Sequence, residues 1–183
     1  MKTFEQCIKA FVWGLLFVAP SAHASGFYEL DYDWNSGSKA VATITVGSLS
    51  ERLSSLIVVD STQYYEAFIG RPFTLGQIAF VPHIGLEGLK GVNPRPRGFL
   101  LTSAQFGPAT FVVVNEFGGV TGNFHKERVQ FDIGKFGLGA VNHRFAGFGP
   151  RIDYKLSPRS ALYLQYLQKG GASRLTLALT GEF

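Results

Sequence analysis

Residues 27–34 read FYELDYDW, and the side chains change character at every step. Tyr28, Leu30, Tyr32 and Trp34 fall on one side of an extended chain, and Glu29, Asp31 and Asp33 fall on the other. QIAFVPHIGLEG (77–88) repeats the arrangement, with Ile78, Phe80, Ile84 and Leu86 against Gln77, His83 and Glu87. AGFGPRIDYKL (146–156) does so again, with Phe148, Ile152, Tyr154 and Leu156 against Arg151, Asp153 and Lys155. A period of two argues for strands, and three neighbouring carboxylates exclude a dry protein core on their side. The chain is 46% hydrophobic and 14% aromatic, yet no apolar run after residue 24 approaches the roughly 20 residues that a spanning helix needs.

Alternation alone does not say which face meets water, because the strands of a soluble sandwich read the same way. The N-terminus bears on this. Lys2 and Lys9 flank a charged start, AFVWGLLFVAP is an apolar run of signal-peptide length, and Ala22–Ala24 (AHA) has the small-x-small form of a cleavage site. The expected domains are therefore a signal peptide, 1–24, and a single β-domain, 25–183. Cys7, the only cysteine, lies within the signal, which excludes disulfides, thiolate chemistry and cysteine metal sites from the mature chain. Without Lys2, Lys9 and Glu5 the chain keeps 15 basic and 12 acidic residues, a net charge of +3 too mild and scattered for nucleic acid.

The closing segment SRLTLALTGEF places Leu175, Leu177 and Leu179 at alternate positions before a terminal Phe183. It resembles the C-terminal signal of bacterial outer-membrane β-barrel proteins, which the barrel assembly machinery reads. It departs from that signal at the third residue from the end, Gly181, where a bulky residue is common. The resemblance implies an all-β fold, a closed antiparallel transmembrane β-barrel in the cell outer membrane, with lipids and lipopolysaccharide around it. Physics supplies the reason for closure: in lipid an unpaired amide has no water to turn to, so a spanning sheet must have no edge. Apolar residues then face outward, and aromatic girdles mark the water boundary.

Nine candidate strands follow: 27–34, 40–47, 55–70, 76–87, 99–117, 128–139, 145–156, 160–168 and 173–183. Barrels of this type usually have an even number. Splitting 99–117 at Gly107–Pro108 gives ten; reading FGP at 106–108 as a kink within one strand, and leaving 27–34 out of the barrel or fusing it with its neighbour, gives eight, the number expected. Segment 88–98 reads as an outer loop.

The polar face collects Glu29, Asp31, Asp33, His83, Glu87, Arg151, Asp153, Lys155 and Arg174 as a lumen network knitted by ion pairs. Eight strands leave room only for side chains, so a filled lumen is expected. Lys90, Arg95, Arg97, Arg144 and Lys169 are candidates to meet lipopolysaccharide phosphates from outer loops. No histidine pair has metal-ligand spacing, and no cofactor is expected. The reading is a non-enzymatic barrel with a structural or surface-interaction role. One alternative is a lipid A modifying enzyme, an acyl hydrolase or acyltransferase, for which Ser103 with His83 or His143 are the candidate pairs. A narrow channel is the second alternative.

Overall fold

A computed structural model describes residues 25–183; the expected signal peptide lies outside the described residues. The described chain is all β: β1 (Ser25–Asn35), β2 (Val41–Leu49), β3 (Ser54–Asp60), β4 (Tyr65–Gly70), β5 (Phe73–Leu75), β6 (Ile78–Leu89), β7 (Val92–Phe106), β8 (Ala109–Gly118), β9 (Phe124–Ile133), β10 (Phe136–His143), β11 (Gly147–Ser157), β12 (Ser160–Lys169) and β13 (Ala172–Glu182). Each strand pairs antiparallel with its sequence neighbours, β1 pairs with β13, and β4 pairs with β6. Every long strand thus has two partners, and the sheet closes.

The ring has twelve strands plus the short β5, not eight or ten. β5 prolongs β4: Gly70 opposes His83, Arg71 donates its amide to the Pro82 carbonyl, and Phe73 opposes Phe80, all in one register. Pro72 interrupts the ladder because it has no N–H.

Three of the nine expected segments are hairpins. Within 55–70, the Asp60 carboxylate accepts from the amides of Thr62 (2.7 Å) and Tyr64 (3.1 Å) and from the Thr62 hydroxyl (2.6 Å), which folds 61–64 into a turn. Within 128–139 the chain reverses at Gly134, and within 99–117 at Gly107, where φ is +60° and +56°. Glycine occupies that region without penalty, so short reversals fit where a continuous strand was expected. Phe27–Trp34, the segment that an eight-strand count would omit, lies in β1 and pairs on both sides.

The outside is apolar. Leu30, Tyr32, Trp34, Ile84, Phe131, Leu138, Ile152, Leu164 and Leu177 are all large and exposed, whereas Asp33, Glu66, Glu87, Arg97, Arg151 and Asp153 are buried. This is the inverse of a soluble core and matches a wall facing acyl chains. Both termini lie at one end of the barrel, where Gly26 and Phe183 exchange backbone hydrogen bonds of 3.1 and 2.9 Å. Leu175, Leu177 and Phe183 face outward. At Gly181 the ring of Tyr28, its partner on β1, covers the space that a side chain would take.

Candidate functional site

Inward positions follow from the pleat, since residues opposite one another on paired strands share a face. Glu29 and Asp31 on β1, Lys126 and Arg128 on β9, Arg151 and Asp153 on β11 and Tyr163 on β12 all point into the lumen by this rule. So do Glu66, His83, Glu87, Arg97, Phe99 and Glu116 on the β4–β6–β7–β8 wall.

That wall is filled. The Arg97 guanidinium stands among three carboxylates: Nη1 is 2.6 Å from Glu87, Nε is 3.2 Å from Glu66 without the alignment of a hydrogen bond, and Nη2 contacts Glu116. The β8–β9 loop folds onto the same group. The amides of Val120 and Thr121 donate to Glu87, the Thr121 hydroxyl donates to it at 2.6 Å, and Arg97 donates to that hydroxyl at 2.8 Å. Glu87 is 0% exposed as a result. Arg97 is therefore not an outer-loop residue: segment 88–98 is mostly strand, reversing only at Lys90–Gly91, and parity turns Arg97 into the lumen. The exposed Arg95 stands opposite Glu87 at the mouth. Lys90, Arg144 and Lys169 are exposed at the end away from the termini.

Below this cluster, Phe68, Phe99 and His83 pack ring to ring, with centroids 5.3 Å apart for the first two and 4.8 Å for the last two. His83 Nε2 lies 2.9 Å from Ser54 Oγ and Nδ1 lies 2.9 Å from the Val81 carbonyl. The two side chains meet across β4 because Gly70 stands between them with no side chain of its own. The serine beside His83 is thus Ser54. Ser103 sits opposite Ala79, about 13 Å down β6 at the usual strand rise. The carbonyl at Nδ1 occupies the place that a carboxylate takes in a triad. His143 ends β10 opposite Lys126, and its Nδ1 accepts from the amides of Phe145 and Ala146 at 3.2 Å.

The remaining charges form a second system. Arg174 pairs with Asp33, which also accepts from Thr176; Arg151 pairs with Asp153 at 2.7 Å and Lys155 with Asp132 at 2.7 Å. Arg151 also lies 3.5 Å above the ring of Tyr163. Tyr163 Oη donates to Asp31 at 2.6 Å and stands 3.1 Å from Glu29. Among the described residues, Glu29, Asp31, Lys126 and Arg128 join no ion pair. The two acids and the two bases come from walls five strands apart in a ring of twelve, nearly a diameter.

Between these walls the lumen is not filled. A cavity of about 580 Å³ opens toward the loop end, lined by Glu29, Asp31, Glu66, Glu116, Lys126 and Arg174 among others. Cavities of about 320 and 300 Å³ lie toward the terminal end. Glu29 lines all three, and Glu29, Leu56, Phe99, Val114 and Lys126 line both larger ones, so the spaces adjoin at one charged waist. The filled lumen expected for eight strands gives way because barrel diameter grows with strand number.

The solved structures of porins share this architecture. A KdgM porin in complex with disordered oligogalacturonate superposes with a TM-score of 0.65 at 12% identity, covering 86% of this chain and 99% of that one. A NanC porin gives a TM-score of 0.63 at 11% identity, covering 85% and 100%. The chain has the closed antiparallel β-barrel fold of these outer-membrane porins. The likeness carries the fold, since identity is this low. No family model matches the chain, and no curated protein matches it in sequence.

The sequence-derived network thus divides. Glu29 and Asp31 line the open waist and His83 lines the cavity below it, whereas Glu87 belongs to the filled wall. Lys126 and Arg128 are not among the residues singled out from the sequence, and Tyr163, suited there to the outward aromatic girdle, points into the lumen and is buried. KERVQFDI alternates well enough to show that Lys126, Arg128, Gln130 and Asp132 share a face, and LYLQYLQ hides Tyr163 because both faces carry apolar side chains, Leu162, Leu164 and Tyr166 on one and Tyr163 and Leu167 on the other.

Proposed function

We propose that the protein is a passive outer-membrane channel for small hydrophilic solutes. The observation that carries this reading is the set of adjoining cavities meeting at a waist with Glu29 on one wall and Lys126 on the other. A purely structural barrel has no need of facing, unpaired charges, which cost desolvation free energy unless water or solute reaches them. Twelve strands also provide the width that eight lack. The porin fold of the structural neighbours supports the same reading. For the KdgM porin the bound molecule is an oligogalacturonate; for this chain the reading stops at polar solutes of a size set by the waist.

In this reading the terminal end faces the periplasm, and Phe183 with Leu175, Leu177 and Leu179 engages the barrel assembly machinery during insertion. Lys90, Arg95, Arg144 and Lys169 at the opposite mouth contact lipopolysaccharide phosphates. Purified protein reconstituted in a planar bilayer tests the central claim. Discrete conductance steps are expected; a membrane that stays silent over repeated insertions discards the channel.

A further inference from the structure

We infer that the waist is a filter for compact zwitterions, solutes that carry one positive and one negative group a few bonds apart. The inference rests on the channel reading and adds the class of solute.

The lumen charges fall into two kinds. Asp33 with Arg174, Asp132 with Lys155, Asp153 with Arg151 and the three carboxylates around Arg97 satisfy one another inside the wall. Five charged groups lining the two larger cavities join none of these pairs, and they are sorted by sign: Glu29 and Asp31 on β1 with Asp60 on β3 nearby, and Lys126 and Arg128 on β9. Glu29, Asp31 and Lys126 line the larger cavity, and Glu29, Lys126 and Arg128 line the next one. A solute crossing the waist therefore meets anions on one flank and cations on the other. An anion is drawn to β9 and repelled by β1, a cation the reverse, and a neutral molecule gains little. A zwitterion that turns its ammonium to β1 and its carboxylate to β9 gains on both flanks at once. The low-dielectric arc that joins the two walls through β3, β7 and β8, with Leu56, Phe99 and Val114, concentrates the field across the gap.

Such a filter requires that the two neighbouring carboxylates be held aimed into the lumen, and Tyr163 holds them. Its hydroxyl lies between them, 2.6 Å from Asp31 and 3.1 Å from Glu29. Its ring is clamped under the Arg151 guanidinium, which Asp153 holds through two hydrogen bonds of 2.9 and 2.7 Å. Tyr163 is 3% exposed and touches the solute path only through the acids it orients, so it is a positioning residue.

The test is equilibrium exchange of isotope-labelled solutes of one size into proteoliposomes holding the protein: alanine (zwitterion), lactate (anion), alaninamide (cation) and lactamide (neutral). Alanine is expected to exchange faster than lactamide by a factor on the order of three or more, with neither singly charged solute ahead of alanine. The double variant Lys126→Gln with Arg128→Gln is expected to put alaninamide first. Reversing both walls at once, Glu29→Lys and Asp31→Lys with Lys126→Glu and Arg128→Glu, restores the preference for alanine, because a reversed field turns the solute round. Tyr163→Phe removes one hydroxyl, keeps the ring under Arg151, and lowers the ratio of alanine to lactamide. Equal rates for alanine and lactamide, or a Tyr163→Phe ratio equal to that of the parent, overturn the filter and leave the channel standing. Exchange of none of the four solutes overturns the channel itself, and the filter with it.

Discussion

Leu177→Arg probes the orientation on which every other statement depends. Leu177 is the sixth of the eleven residues of β13, opposite Leu164 on β12 and Tyr32 on β1, and is 44% exposed. A central position on an outward face corresponds to the bilayer midplane. Arginine there costs about 2–4 kcal/mol, against about 0–1 kcal/mol near either interface. At 1.4 kcal/mol for each factor of ten, the midplane substitution lowers the folding equilibrium roughly 30- to 700-fold. Leu156→Arg is the matched control: it is also apolar and outward, 50% exposed, but two residues from the turn at Pro158. Its expected cost is about 1 kcal/mol or less. The assay is reversible urea unfolding in phospholipid vesicles, followed through Trp34, the only tryptophan of the described residues. A large penalty at 177 with a small one at 156 is the signature of a hydrocarbon slab. Equal penalties at the two depths, or a Leu177→Arg protein that stays folded and monomeric without detergent, would refute the outward-facing arrangement.

Other expectations rest on single contacts. Arg97→Met leaves Glu66, Glu87 and Glu116 buried with no cation, so it is expected to destabilise by about 3–5 kcal/mol in the same unfolding assay. Gly70→Val places a side chain on the His83 ring and the Pro82 carbonyl, and a loss of about 1–3 kcal/mol is expected. A short protease site inserted between Gly107 and Pro108 is expected to be tolerated and cut only from the terminal end. The same insertion between Gly149 and Pro150 interrupts β11 and is expected to abolish the heat-sensitive gel mobility of a folded barrel. Ser54→Ala removes the hydroxyl partner of His83 at the margin of the lower cavity, away from the charged waist, so single-channel conductance is expected to match the parent within about a tenth, since a hydroxyl deletion there leaves barrel width unchanged.

What the residues determined by themselves is the class of the fold and the face of each strand. Two-residue periodicity assigns Tyr28, Leu30, Tyr32 and Trp34 to one side whatever the partners are, because side-chain direction along a strand is a local property. The lipid-facing sense was expected from the signal-peptide pattern at the N-terminus and from the terminal strand. Strand number was not local in the same way. FGP occurs at 106–108 and at 148–150; one is a reversal with Gly107 at positive φ and the other runs straight through β11. The three residues are the same, and only the neighbouring strands available for pairing decide between them. Counting the first as a kink, reading 55–70 and 128–139 as single strands, and leaving 27–34 out or fusing it with its neighbour gives eight strands and a filled interior. Twelve strands give an open waist. The waist itself could not be read from the chain, since Glu29 and Lys126 are nearly a hundred residues apart and face each other only when the ring closes. Closure sets which charges are neighbours and which stand across the gap, and that distinction separates Arg97, spent within the wall, from Arg128, left to meet a solute.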